Sequence, residues 1–196
     1  MYSSSAMAKI FEHLLNRSLA HVTRFNNRPQ HFEESVAEHS FYVAYITQIL
    51  CWLIDENGDQ VDTKKAIQMA LIHDQEEGFS GDILNPFKHY NKKVSEAIKE
   101  VNKETINMMF ETLPEKMGRD FVNLWHEEAE RDSIESQVVK VADTLSLISK
   151  CYEEMETGNN YFSGIYKKEI KNLKTLSHHW WKKIRDQVLS GAVKQA

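Results

Sequence analysis

The sequence predicts an all-α fold in a single domain, and three observations predict it. Seven glycines and three prolines in 196 residues leave few helix breakers. Apolar residues recur at intervals of three and four along extended segments, the period of a helix. No segment alternates apolar and polar residues as a half-buried strand does. A chain of this length can bury one sizeable core, and no internal repeat or low-complexity linker divides residues 1–196.

Helices are expected near 6–22, 35–55, 62–74, 91–112, 115–130, 132–156 and 161–189. The opening MYSSSAMA is small and polar without an apolar centre, so it reads as a frayed end rather than a signal peptide. The segment from 35 opens on a capping box, with Ser35 followed three residues later by Glu38. His39, Val43, Ile46, Leu50 and Leu53 then follow at 4-3-4-3 spacing, which puts His39 on the buried stripe. Taken alone, His39 also suits a core histidine bonded to a carbonyl.

The segment 62–74 carries Ala66, Ile67, Met69, Ala70, Leu71 and Ile72 and ends in His73-Asp74. An imidazole beside a carboxylate offers two ligand types to one divalent ion. Polar groups where a buried helix meets a cavity are costly unless paired or metal-bound. The connection 75–90 is the longest irregular piece, and it carries Glu77, Asp82 and Lys88. Functional groups commonly sit on a loop held by rigid helices.

In 132–156, Ile134, Val138, Val141, Leu145, Ile148, Tyr152 and Met155 form a long stripe. Asp143 points away from it, on a face shared with Val139, Ala142, Ser146 and Leu147. That face is too small and apolar for solvent, so the helix is expected to be buried on both sides. The stripe is then available to a subunit interface, and a homodimer or higher homo-oligomer is expected. In the last segment, Lys167, Lys168, Lys171 and Lys174 read as a solvated face. His178, His179, Trp180 and Trp181 are consecutive, so they face different sides and read as packing.

Charge excludes some partners. With 24 Lys plus Arg against 29 Asp plus Glu, the net is −5, without the basic footprint of a nucleic-acid polymer binder. No apolar run approaches membrane-spanning length. Cys51 and Cys151 each sit in an apolar helix, which suits reduced buried thiols in a cytoplasm. A phosphate-bearing small molecule, by contrast, needs only local positive charge.

His39, His73, Asp74 and Asp143 together make the pattern H…HD…D. Two imidazoles and two carboxylates suit a divalent ion such as Zn²⁺, Mn²⁺ or Co²⁺. On helices, this pattern resembles the HD-domain metal-dependent phosphohydrolases. The stretch HDQEEGFSGDILNPFKHYN is similar to the corresponding segment of the bacterial HD-domain 5′-deoxynucleotidases, through Glu77, Gly81, Asp82, Pro86 and Lys88. VKVADTLSLISKCYEEMETGNNYF resembles that family's metal-ligand helix and its exit. Ser-x-x-Glu-His around His39, with Arg24 fifteen residues upstream, is a third match. The similarity runs from about Arg24 to Phe162, the expected core of a single HD-domain bundle.

The resemblance implies a site on this chain. His39, His73, Asp74 and Asp143 would hold the metal, and Glu77 would be the working carboxylate toward water or the leaving group. A bound ion would polarise the phosphoryl group and acidify water. Arg24 and Lys88 would meet phosphate, and Asp82 the sugar hydroxyls. Phe25 stands where the family usually has a tryptophan whose ring packs on the sugar and favours 2′-deoxy substrates, so the apolar wall stays while indole area is lost. Glu127 would support the site from behind. The implied activity is hydrolysis of (deoxy)nucleoside 5′-monophosphates. A dNTP triphosphohydrolase with the same ligands and a non-catalytic nucleotide-binding HD scaffold are the alternatives. A cyclic-nucleotide or (p)ppGpp hydrolase fits the Gly-Asp-Pro-Lys segment less well.

Overall fold

The computed structural model describes residues 4–192, and all its regular elements are helical. One isolated antiparallel bridge joins Thr23 to Ser35. Helix α1 spans Ser4–Leu15, so the opening segment is helical from Ser4, and residues 1–3 lie outside the described chain. The expected single helix over 6–22 stops there. The Asn16 side chain accepts from the Ser18 amide at 2.9 Å and redirects the chain into a separate 3₁₀ turn, Ser18–His21.

Helix α2, Val36–Glu56, opens on the capping box read from the sequence: Ser35 Oγ accepts from the Glu38 amide, and Glu38 accepts from the Ser35 amide. Helix α3, Thr63–Ile72, is capped by Asp62, which accepts from the Lys65 amide at 3.0 Å. The expected irregular connection contains two single-turn helices, α4 (Glu77–Ser80) and α5 (Asn85–Lys88). Gly81 at φ +73° ends the first. Helices α6 (Lys92–Phe110), α7 (Glu115–Glu130) and α8 (Ile134–Glu156) follow.

The expected last helix is two: α9 (Ser163–Thr175) and α10 (His179–Val188). Leu176 is extended, and the Trp181 indole donates to the Leu173 carbonyl at 2.8 Å. The tertiary bond takes an acceptor that a continuing helix would have used. Trp180 and Trp181 are buried in the core, as packing requires.

The main core joins α2, α3 and α8 to α9 and α10 through Val43, Leu50, Met69, Val138, Phe162 and Ile184. A smaller cluster, Ile72, Ile106, Phe110 and Trp125, fastens α6 and α7 to the end of α3. The long stripe on α8 is used within the chain. Val138, Val141 and Ile148 are buried, and Ile134, Leu145, Tyr152 and Met155 pack on the same cluster. A row of exposed apolar side chains lies on α2, at Tyr42, Tyr45, Ile49 and Trp52.

Candidate active site

Four side chains, two on helices and two in the turn after α3, converge at the floor of one cleft. The cap at Ser35 starts α2 one turn before His39, which is fully buried. Its Nδ1 lies 3.1 Å from Ser146 Oγ of α8. Its Nε2 points at two carboxylates, 3.2 Å from Asp143 Oδ1 and 3.7 Å from Asp74 Oδ2. His73 closes α3, and its Nδ1 lies 2.8 Å from the Ala70 carbonyl. A carbonyl only accepts, so Nδ1 carries the proton and Nε2 presents its lone pair, 3.1 Å from Asp74 Oδ2.

Ligand atoms of His39, His73 and Asp74 lie within 4.8 Å of one another. Asp143 lies outside that trio but beside it: from α8 its Oδ1 stands 3.2 Å from His39 Nε2, and its Oδ2 accepts from Lys140 at 2.7 Å. Neither His39 Nε2 nor His73 Nε2, though enclosed, makes a hydrogen bond. Buried polar atoms are ordinarily satisfied. Two orphaned imidazole nitrogens facing two carboxylates therefore fit a divalent cation. Electrostatics agree. Burial opposes the ionised form of Asp74 and Asp143, yet His73 beside the first and Lys140 with His39 beside the second hold both below the usual carboxylate range. Burial likewise favours a neutral His73, and the Asp74 carboxylate raises it regardless. The pocket demands positive charge.

Above this floor opens a cleft of about 910 Å³, lined in part by Arg24, Phe25, Glu77, Asp82 and Lys88. Glu77 is buried at the start of α4 and pairs with Lys88 Nζ at 3.0 Å. Burial and then the Asp74 charge push its carboxyl up to about 8, against the pull of Lys88. Such a group can take or give a proton near neutrality. Arg24 meets Glu34 at 2.5 Å through one nitrogen, and its guanidinium lies 5.3 Å from the Phe25 ring centre.

Phe25 has φ +54°, a conformation bulky residues seldom adopt. It is held there by its amide, which donates to Asp82 Oδ2 at 3.1 Å, and by its ring, which packs against Phe162 at 5.4 Å. Asp82 thus braces the Phe25 backbone with one oxygen, and Lys88 answers Glu77.

Glu127 lies elsewhere than the sequence suggested. Glu127 pairs with Lys65 at 2.6 Å on the surface, and its neighbour Glu128 is the one that is buried. Burial raises Glu128, which pairs with Arg131 and feels the His73 and Asp74 charges. Glu76 is also buried, accepting from Trp125 Nε1 at 2.9 Å and Asn102 Nδ2 at 3.2 Å. Burial pushes it up to about 7. The available signal was the buried face of α7, where Trp125 and Glu128 stand three residues apart.

The profile of the YfbR-like 5′-deoxynucleotidase family matches residues 10–189. A 5′-deoxynucleotidase of Vibrio parahaemolyticus is 32% identical over 133 residues, covering 66% of this chain and 67% of its own. One of Yersinia pestis is 31% identical over 158 residues, covering 80% and 78%. A solved protein of Pyrococcus horikoshii is similar at a TM-score of 0.73 and 28% identity, covering 94% of this chain and 96% of its own. A Listeria innocua HD-domain phosphohydrolase shares the fold at a TM-score of 0.79 and 22% identity, covering 96% and 88%. So does a cyanophage HD phosphohydrolase solved with dA and one catalytic Zn²⁺, at a TM-score of 0.61 and 14% identity, covering 95% and 96%. The chain belongs to the YfbR-like 5′-deoxynucleotidase family.

Proposed function

We propose that this chain is a metal-dependent 5′-nucleotidase that cleaves (deoxy)nucleoside 5′-monophosphates to nucleoside and phosphate. The observation that carries it is the pair of buried, unbonded Nε2 atoms of His39 and His73, turned onto Asp74 and Asp143 at the floor of the cleft. His39, His73, Asp74 and Asp143 would hold a divalent ion, Zn²⁺, Mn²⁺ or Co²⁺, which would supply Lewis-acid polarisation and acidify water. The chain's own groups do the rest. Arg24 offers the guanidinium donors that Glu34 does not use to the phosphate. Glu77 takes the proton of the attacking water as the new P–O bond forms. As the bond to the sugar 5′-oxygen breaks, that oxygen leaves with a proton returned from Glu77. Lys88 steadies Glu77 between the two transfers. Phe25 supplies the apolar wall for the sugar, and the free oxygen of Asp82 accepts from a hydroxyl.

The cleft extends past the metal floor to Lys99, Lys103 and Arg131, cations that favour a longer phosphate chain as the second reading. Incubation of the metal-loaded protein with dAMP and dATP separates the two. Phosphate from dAMP is expected; triphosphate from dATP favours the second reading, and binding without turnover favours the scaffold. The homodimer reading now rests on the α2 row, where Tyr42, Tyr45, Ile49 and Trp52 present one helical face that a second copy can cover by a two-fold. Sedimentation of Tyr45→Glu against the unaltered chain tests it. The buried free thiols Cys51 and Cys151 support a cytoplasmic site.

A further inference from the structure

The segment between Phe25 and Ser35 lines the cleft through Asn27 and Arg28, and it is fastened at its base and along its far side. At its base, the Arg24 amide donates to the Glu34 carbonyl at 2.9 Å, and the Val36 amide to the Val22 carbonyl at 2.9 Å. Its far side is tied to α8 by Glu154, whose carboxylate is fully buried. That carboxylate accepts from the His31 amide at 2.9 Å, the Phe32 amide at 3.1 Å, Lys150 Nζ at 2.9 Å and Asn159 Nδ2 at 2.8 Å. Lys150, itself buried, also donates to the Phe32 carbonyl, and Asn159 to the Pro29 carbonyl at 2.9 Å.

The bonds continue toward the cleft. Gln30 Nε2 donates to the Arg24 carbonyl at 2.8 Å, and the Arg28 amide to the Phe25 carbonyl at 2.9 Å. They brace the positive-φ turn at Phe25 from behind, while Asp82 braces it from in front. None of the metal-site or catalytic groups named above uses Glu154, Lys150, Asn159 or Gln30. A buried carboxylate that meets four donors, two of them backbone amides of one loop, is a fastening for that loop.

We infer that Glu154 is a positioning residue: with Lys150 and Asn159 it holds the 26–34 loop that presents Arg24 and Phe25, and so sets nucleotide affinity without touching substrate or metal. The inference rests on the nucleotidase reading for its effect on affinity. The anchor stands on α8, the helix that also supplies Asp143. Eleven residues separate the two, about 16 Å along the axis at the usual helical rise. One rigid element therefore fixes the loop against the metal floor.

The test compares Glu154→Gln, Asn159→Ala and Gln30→Ala with the unaltered metal-loaded chain, using dAMP, metal content and amide hydrogen exchange. KM is expected to rise roughly tenfold, as loss of hydrogen bonds to a charged group implies. The kcat should stay within about threefold, and bound metal should not change. The His31 and Phe32 amides should exchange faster. Folded variants with unchanged KM and unchanged exchange overturn the inference, as does a loss of metal and kcat with KM constant. If Glu154→Gln does not fold, the milder Asn159→Ala and Gln30→Ala carry the decision. Failure of the unaltered chain to hydrolyse any nucleotide removes the nucleotidase reading instead, and the amide exchange still decides the anchor.

Discussion

His39 Nε2 stands 3.2 Å from Asp143 Oδ1, although the two residues come from separate helices, and this buried nitrogen has no hydrogen-bond partner. With His73 and Asp74 adjacent, the approach leaves two lone pairs and two negative charges around one point. The His39, His73 and Asp74 ligand atoms are spaced as a divalent ion requires, and Asp143 adds a second carboxylate beside them.

Removing a ligand should empty the site. His73→Ala and His39→Ala are expected to lose bound metal after desalting and at least roughly a hundredfold in kcat/KM. Chelation of the unaltered chain should lower its melting temperature, and adding the ion back should restore it. A full metal complement in His73→Ala, measured by atomic emission, rejects the ligand assignment.

Glu77→Gln separates chemistry from binding. The metal should remain while kcat falls by roughly 10²–10⁴, the usual worth of a placed acid or base. Single-turnover rates with dAMP check this, and near-normal rates remove Glu77 from proton transfer.

Phe25→Trp enlarges the ring on the apolar wall of the cleft. The kcat/KM ratio for dAMP over AMP should rise about tenfold, within what packing on one apolar wall can discriminate. An unchanged ratio moves sugar selection away from this wall.

Neighbouring glutamates should behave differently. Glu127→Ala loses an ion pair with both side chains about one-third exposed, so stability should change by less than about 1 kcal/mol. Glu128→Ala removes a buried side chain and its pair with Arg131, leaving space in the packed face of α7, so about 2 kcal/mol is expected. Denaturant titration of both variants reads the contrast.

Acid should release the loop anchor. Burial alone would raise the Glu154 carboxyl, but the His31 amide, Lys150, the Phe32 amide and Asn159 overcome it and hold it at about 2, below the ordinary 4.5. A depressed carboxylate stabilises above its unfolded value and loses that contribution as pH falls through the folded one. The stability gap between the unaltered chain and Glu154→Gln should therefore be full above pH 4.5 and close toward about 2. A gap constant down to that pH contradicts the assignment.

Much of this was legible in the residues. The capping box at Ser35 and the stripe through His39 are local patterns, and local patterns set where a helix begins and which face it buries. The break at Leu176 was not legible, because a tertiary bond from Trp181 decides it. Glu76 and Glu128 stayed hidden for a similar reason. A carboxylate reads as solvated until the partners that permit its burial, Trp125, Asn102 and Arg131, are placed beside it. Asp143 was half legible: its small apolar neighbours showed a packed face, but not what lay across it.

Helix α8 carries Asp143 near its middle and Glu154 near its end. The hydrolytic centre and the recognition loop therefore answer to different stretches of one rod. Substitutions in the 26–34 loop can retune which nucleotide enters while the metal ligands keep their places. Lengthening or shortening α8 between the two points would instead turn the anchor about 100° per residue away from its loop. The fold thus separates what is free to vary from what is geometrically locked, and substrate range can drift without rebuilding the chemistry.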